Sequence, residues 1–153
     1  MNLRRATLDD VPAMVSLHAR AVREVCSRDY APEQIDNWLS KPTDERFAEN
    51  VSGGLVYVCV GGAGDVMGFG ERRADSIASL YVNPDHHRRG VASLILRKLE
   101  SDARAAGKPE LLTHSTVTAL GLYEKHGYEN LGEVTCHASR QIPLEAYRVR
   151  KRL

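Results

Sequence analysis

Val11, Met14, Ala21, Val22 and Val25 fall on one face of a helical wheel and predict a first helix reaching about position 27. Thr7-Leu8-Asp9-Asp10 leads into it, and a threonine with an acid three residues later has the form of a capping box. A short strand over positions 2 to 6 comes before. Pro32 opens a second helix with Ile35, Trp38 and Leu39 on one face, and Thr43 is placed to cap a third, short one. From position 55 the texture changes: positions 55 to 60, 66 to 72 and 76 to 82 read as strands, the first two joined by the turn Gly61-Gly62-Ala63-Gly64-Asp65. A long helix over about 89 to 106 is expected to bury Val91, Leu94, Ile95 and Leu99. A strand at 110 to 113 follows, then a short helix in which Ala119, Leu122, Tyr123 and His126 share a face and Gly127 suits a left-handed cap. Strands near 128 to 136 and 144 to 151 complete one domain over residues 1 to 153, an α/β (α+β) fold built on a mixed sheet with helices on both faces.

The junction after the third of these central strands carries the chemistry. Leu80-Tyr81-Val82 ends at Asn83-Pro84, and the basic stretch His86-His87-Arg88-Arg89-Gly90 runs directly into the apolar period of the long helix. The amides of residues 88 to 92 open that helix before any i−4 carbonyl can receive them, so they are free to point at an anion. Gly90 permits close backbone approach, Ala92 does not block it, and Arg88 or Arg89 can add charge-assisted bonds to phosphate oxygens. A phosphate or pyrophosphate suits this turn, although neither G-x-x-x-x-G-K-[ST] nor G-x-G-x-x-G occurs in the chain.

The six residues His87 to Ala92 resemble the Gln/Arg-x-x-Gly-x-Gly/Ala signature of the GNAT (GCN5-related) superfamily of N-acetyltransferases. Residues 119 to 128, Ala-Leu-Gly-Leu-Tyr-Glu-Lys-His-Gly-Tyr, resemble that family's short helix ending in Tyr-Glu-Lys-x-Gly-Tyr/Phe. The resemblance is strong over about positions 55 to 130 and holds in outline for the whole chain. It implies a mostly antiparallel central sheet, acetyl-CoA as cofactor, and direct transfer of acetyl to a primary amine of a small molecule or peptide. It further implies that His87, Arg88, Arg89, Gly90, Val91 and Ala92 hold the pyrophosphate of coenzyme A. The pantetheine arm would pair with the Leu80-Tyr81-Val82 strand in a gap between splayed sheet halves, with Thr118 beside it. Tyr123 would be the general acid toward the departing sulfur. A free phenol near 10 against a thiol near 8.5 makes complete proton transfer uphill by about 2 kcal/mol, so part of its role is a hydrogen bond to the forming thiolate.

The general base is less defined. An amine with a pKa near 10.4 costs roughly 4.6 kcal/mol to deprotonate at pH 7, so assistance is expected. Many family members carry an acid on the strand before the loop, where this chain has Ser76, Ile77, Ala78 and Ser79. Glu71 and His137 are the first replacements, and His114 the third; each also reads as an ordinary polar strand or edge residue. His87 stands where Gln or Arg is usual, and Thr118 where asparagine is frequent, a hydroxyl in place of an amide's donor and acceptor. The resemblance puts the acceptor around positions 26 to 38 and 136 to 143. Tyr30 and Trp38 could wall such a pocket, while Trp38 also fits a core beside Ile35 and Leu39.

Composition narrows the partners. With 21 Lys and Arg against 20 Asp and Glu, the formal charge of +1 gives no electrostatic case for nucleic acid or a membrane surface, and no apolar run reaches spanning length. Cys26, Cys59 and Cys136 lack metal-ligand spacing and cannot all pair, so no metal is expected and a reducing, cytoplasmic setting is the simplest reading. Cys59 and Cys136, in predicted strands, read as small core residues. A homodimer through the C-terminal strands is an option that the resemblance alone supplies. Two alternatives stay open: a non-catalytic acyl-CoA-binding sensor, favoured by the missing strand acid, and an unrelated nucleotide binder using the same turn.

Overall fold

The computed structural model describes residues 1–136 and 142–153. In chain order the elements are β1 (Asn2–Arg5), α1 (Val11–Glu24), α2 (Pro32–Trp38), α3 (Asp44–Ser52), β2 (Val56–Val60), β3 (Val66–Arg73), β4 (Ser76–Val82), α4 (Val91–Ala105), β5 (Glu110–Thr116), α5 (Leu120–Lys125), β6 (Glu129–Cys136) and β7 (Leu144–Arg152). The strands form one sheet ordered β1-β2-β3-β4-β5-β7-β6, antiparallel at every step except β4 to β5.

Alternation within the strands sends side chains to two cores. Val56 and Val58 of β2 and Phe69 of β3 meet Val11, Met14 and Leu17 of α1 and Phe47 and Val51 of α3 on one face. Tyr57 and Cys59 of β2 meet Val91, Ile95, Leu96, Leu99 and Ala103 of α4 on the other. With both faces covered, β2 reads as the continuous apolar run Val-Tyr-Val-Cys-Val rather than as an alternating strand. Helix α4 sits very close to the sheet: a Cβ on Gly70 would lie 2.5 Å from Ile95 Cγ2, and one on Gly68 would lie 2.8 Å from Val91 Cγ1. Two glycines in β3 therefore fix the height of α4, and with it the position of the loop before it.

The differences from expectation have local causes. Helix α1 starts at Val11, after a 3-10 turn over Leu8–Asp10, and only the acid's half of the expected box is plainly made: the Thr7 N–H donates to the Asp10 carboxylate at 2.7 Å. That carboxylate also pairs with Arg4 at 2.8 Å, and the guanidinium holds it below its usual range. Helix α4 begins two residues later than expected because Arg88 and Gly90 adopt left-handed φ values of 63° and 79°. Leu94 is only half-buried, and Leu96, Glu100 and Ala103 take places on the buried stripe instead. Glu100 is buried with compensation, accepting from Lys151 Nζ and the Tyr128 hydroxyl, each at 3.1 Å. Strand β5 runs on to Thr116 because β7 pairs with it from Glu110↔Arg152 to Thr116↔Ala146.

Two features of β4 open the sheet. On its β3 side Glu71 faces Ser79 and Arg72 faces Ile77, which leaves Ala78 as an extra residue, a bulge that bends the strand. On its other side β4 meets β5 in register only at Ser76↔Leu112, reinforced by Thr113 Oγ1 donating to the Ile77 carbonyl at 2.8 Å. Beyond that point the two strands diverge.

Candidate functional site

The gap between β4 and β5 is the floor of a groove of about 760 Å³. Ala78 to Val82 form one wall, Thr113 to Thr116 the other, the loop before α4 closes one end, and Leu122 and Tyr123 of α5 lie along it. In the loop the Asn83 side chain accepts the Asp85 N–H at 3.0 Å, His87 is extended, Arg88 turns left-handed, and Gly90 caps α4. The first i−4 bond inside α4 is Leu94 N–H to the Gly90 carbonyl at 3.0 Å, so the amides of Val91, Ala92 and Ser93 precede any intrahelical acceptor. A Cβ on Gly90 would meet nothing within 4 Å; glycine is needed there for its φ, not for space.

Charged contacts brace this loop from outside. Arg20 of α1 donates to Asn83 at 3.2 Å and to Asp85 at 2.9 Å, and also holds Glu24; these carboxylates push its own pKa up. His86 Nε2 meets Asp65 of the β2–β3 turn at 2.9 Å while Arg89 Nη1 lies 3.3 Å from its Nδ1, a pair of contacts that the neutral Nε2–H tautomer satisfies. The two arginines that the sequence left equivalent thereby separate: Arg88 lines the groove, whereas Arg89 turns to His86.

Tyr123 is 4% exposed and stacks edge-on against Tyr128, ring centroids 5.2 Å apart. Gly127, at φ 86°, reverses the chain so that the Tyr128 N–H returns to the Tyr123 carbonyl at 3.0 Å. Burial pushes the Tyr123 phenol well above its ordinary range, nearby Tyr81 adds to this, and a hydrogen bond with Thr113 offsets part of it. Burial thus favours the neutral phenol, whose hydroxyl can donate a hydrogen bond. Thr118 lines the groove and spends its proton on Asp29 at 2.8 Å, which leaves its oxygen to accept.

A second cavity, of about 420 Å³, lies on the α1–α3 face of the sheet. His18, Trp38, Phe47 and Tyr81 form its walls, and it shares Ala78, Ser79 and Tyr81 with the groove. The bulge is thus where the two spaces meet. Glu71 lies in this second cavity, 4% exposed, accepting from Asn50 Nδ2 at 2.9 Å and from Arg73 Nε at 2.7 Å, and it does not line the groove beside Tyr123. His114 lines the groove with an exposed side chain, its Nδ1 3.6 Å from Cys136 Sγ. His137 lies outside the described residues.

Two expectations need correction. Tyr30 lines neither cavity: its hydroxyl donates to the Glu145 carbonyl at 2.6 Å and accepts the Val117 N–H at 3.0 Å, and its ring packs with Val22, Ile35, Trp38 and Leu144. Because it bridges α1's end to β7, it is a core post. Cys136 is half-buried near the end of β6 rather than in the core; Cys59 is fully buried as expected. Trp38 serves in both ways, as part of that core and as a wall of the second cavity. His18, Arg46, Asn50 and Arg73 were not singled out from sequence. His18 had a signal, since it stands four residues after Met14 on the buried stripe of α1, as did Arg46 and Asn50, one turn apart on α3.

Among the described residues no group of three or more His, Cys, Asp or Glu side chains is placed to hold a metal ion, and no helix is long and apolar enough to cross a membrane. Comparison with known proteins gives one answer. The chain is 29% identical over 131 residues to the uncharacterized N-acetyltransferase YafP of Escherichia coli K12, covering 86% of this chain and 83% of that protein. It is 28% identical over 139 residues to acetyltransferase ECA0875 of Pectobacterium atrosepticum, covering 88% and 92%. A GCN5-related N-acetyltransferase structure from Rhodopseudomonas palustris superposes with a TM-score of 0.91 at 26% identity, over 99% of this chain and 95% of that one. The PaiA N-acetyltransferase of Thermoplasma acidophilum in complex with coenzyme A shares the fold, with a TM-score of 0.77 at 15% identity over 99% and 98%. The family described as the acetyltransferase (GNAT) domain matches residues 26–142, and the chain belongs to that family.

Proposed function

We propose that this protein moves the acetyl group of acetyl-CoA directly to a primary amine of a small molecule or peptide, with residues 1–153 acting as one domain in a reducing, cytoplasmic setting. The observation that carries this reading is the open seam between β4 and β5, with unpaired helix-opening amides at one end and the Tyr123 hydroxyl along its wall. The coenzyme A complex of the same fold supports the cofactor. The amides of Val91, Ala92 and Ser93 with Arg88 would hold the pyrophosphate, and the exposed edge of Leu80 to Val82 would pair with the amides of the pantetheine arm. Acceptor and thioester would meet at Ser79, where the two cavities join.

In the transfer the amine nitrogen would attack the thioester carbonyl, a C–N bond forming as the C–S bond breaks and the sulfur leaves as thiolate, and Tyr123, which lines the groove, would be the residue to meet that charge. Because burial raises that phenol, Tyr123 acts by donating a hydrogen bond to developing charge. The amine proton would pass to Glu71 through water, since Glu71 and Ser79 are register partners on one face of the sheet.

Thermal unfolding with acetyl-CoA, and with ATP as control, tests the cofactor first. At a hundred times its Kd a ligand adds about 2.7 kcal/mol, which for a domain of this size raises Tm by about 5 to 10 °C. A rise with acetyl-CoA and none with ATP is the expected result. No rise at saturating acetyl-CoA overturns the reading.

A further inference from the structure

We propose that the amine acceptor also carries an anionic oxygen group, a carboxylate or a phosphonate, as in the amino acid class of small molecules. This rests on the acetyl-transfer reading and concerns the second cavity. Its charged lining residues are layered. Among the described residues, Glu71 is buried at the floor, while Lys41, Arg46 and Arg73 are exposed at the mouth, three cations to one carboxylate. The surplus is local, because the whole chain carries a formal charge of only +1. Asp44, Glu45 and Glu49 belong to the same helix as Arg46 and are exposed, yet none of them lines the cavity.

The two arginines have donors to give. Among the described residues Arg46 has no carboxylate partner, and its guanidinium carbon lies 5.2 Å from the centre of the Phe47 ring, which forms part of the wall. Arg73 donates Nε–H to Glu71 and Nη2–H to Asn50, which leaves three of its five N–H groups uncommitted to these partners. A simple cationic amine entering this mouth meets like charge before it reaches Glu71. An amine with its own anion does not: the anion stays at the mouth, where a guanidinium can bind it in bidentate fashion, and the nitrogen reaches inward to Ser79 and the thioester. A volume of about 420 Å³ suits such a small molecule.

The test uses the full chain with acetyl-CoA and matched acceptors: each α-amino acid, its methyl ester, which keeps the amine and lacks the anion, and aminoalkylphosphonates of similar length with their dialkyl esters. At least one acid or phosphonate is expected to exceed its ester, compared at equal concentration of free amine, in kcat/KM by about ten- to a hundredfold; the two acid arms tell carboxylate from phosphonate. Arg46→Gln should bring that ratio toward one, with the acetyl-CoA shift in Tm retained, and Arg46→Lys should restore part of it. Calorimetric titration of the N-acetyl products against the coenzyme A complex gives the same ranking without turnover. Esters equal to or better than acids throughout, or a ratio unmoved by Arg46→Gln, overturns the inference while the acetyltransferase reading stands. If acetyl-CoA gives no shift and no amine is acetylated, the reading fails and this inference falls with it.

Discussion

The groove and the second cavity meet at Ser79 but are made of different materials. The groove offers the backbone of two elements, helix-opening amides and the edge of β4, with the buried Tyr123 hydroxyl beside them. The second cavity presents side chains from α1, α2, α3, β3 and β4, among them Glu71, Arg46 and Arg73. Amides and a strand edge survive most substitutions, which on the proposed reading suits them to what every acetyl-CoA has in common. A side-chain site can be retuned one residue at a time, and on the proposed reading that is where the choice of acceptor is made. The loop at the end of the groove is braced by the Arg20–Asp85 and His86–Asp65 pairs, and none of these four residues lines the second cavity.

Substitutions that act on one side only can break this division. The largest effect is expected from Tyr123→Phe, which should lower kcat by about ten- to ten-thousandfold with acetyl-CoA affinity largely kept; stopped-flow turnover with calorimetric binding would show it, and an unchanged kcat would remove Tyr123 from the chemistry. Glu71→Gln comes next. A relayed base predicts a loss of about ten- to a hundredfold in kcat/KM that shrinks as pH rises and the amine deprotonates unaided, with no change in acetyl-CoA binding. A loss independent of pH would make Glu71 a positioning residue for Arg73 and Asn50.

Gly70→Ala tests the groove through its scaffold. The new Cβ would collide with Ile95, so unfolding by urea should show a cost of about 1–3 kcal/mol, and acetyl-CoA should bind more weakly as α4 is pushed from the sheet. The KM for the amine should hardly move. The smallest effect is alkaline. Burial raises the Tyr30 phenol to about 12 and pushes Tyr123 and Tyr128 up as well, against about 10 for an unfolded tyrosine. A group raised in the folded state contributes stability that is complete below its unfolded pKa. Urea midpoints should therefore be flat to about pH 10 and fall as pH rises toward 12; Tyr30→Phe should flatten that fall without altering kcat as Tyr123→Phe does. A midpoint constant to pH 12 would mean the phenols are not held neutral by folding.

Legibility followed locality. The run from Leu80 to Ala92 could be read because a strand end, a glycine and the opening of a helix lie within thirteen residues, and the amides left free there follow from helix geometry alone. The Tyr123 helix was legible for the same reason, down to its Gly127 cap. The bulge at Ala78 was not, because it exists only in the register between β3 and β4, and neither strand states that register by itself. The choice between Arg88 and Arg89 likewise waited on Asp65, more than twenty residues earlier, which holds His86 and draws Arg89 after it. Tyr30 misled because a buried tyrosine on a core and an aromatic pocket wall look alike until the partners of the hydroxyl are known.

By itself the sequence determined the order of elements, the basic turn whose amides open α4 and the tyrosine helix, since periodicity, capping and glycine placement act over a few residues of chain. Only the tertiary structure decided where β4 parts from β5, that Glu71 belongs to the second cavity and not to the groove, and that Lys41, Arg46 and Arg73 gather at one mouth. Those facts depend on packing between residues distant in the chain, and charge and hydrogen bonding reach across such gaps only once the sheet and its helices have brought the side chains together.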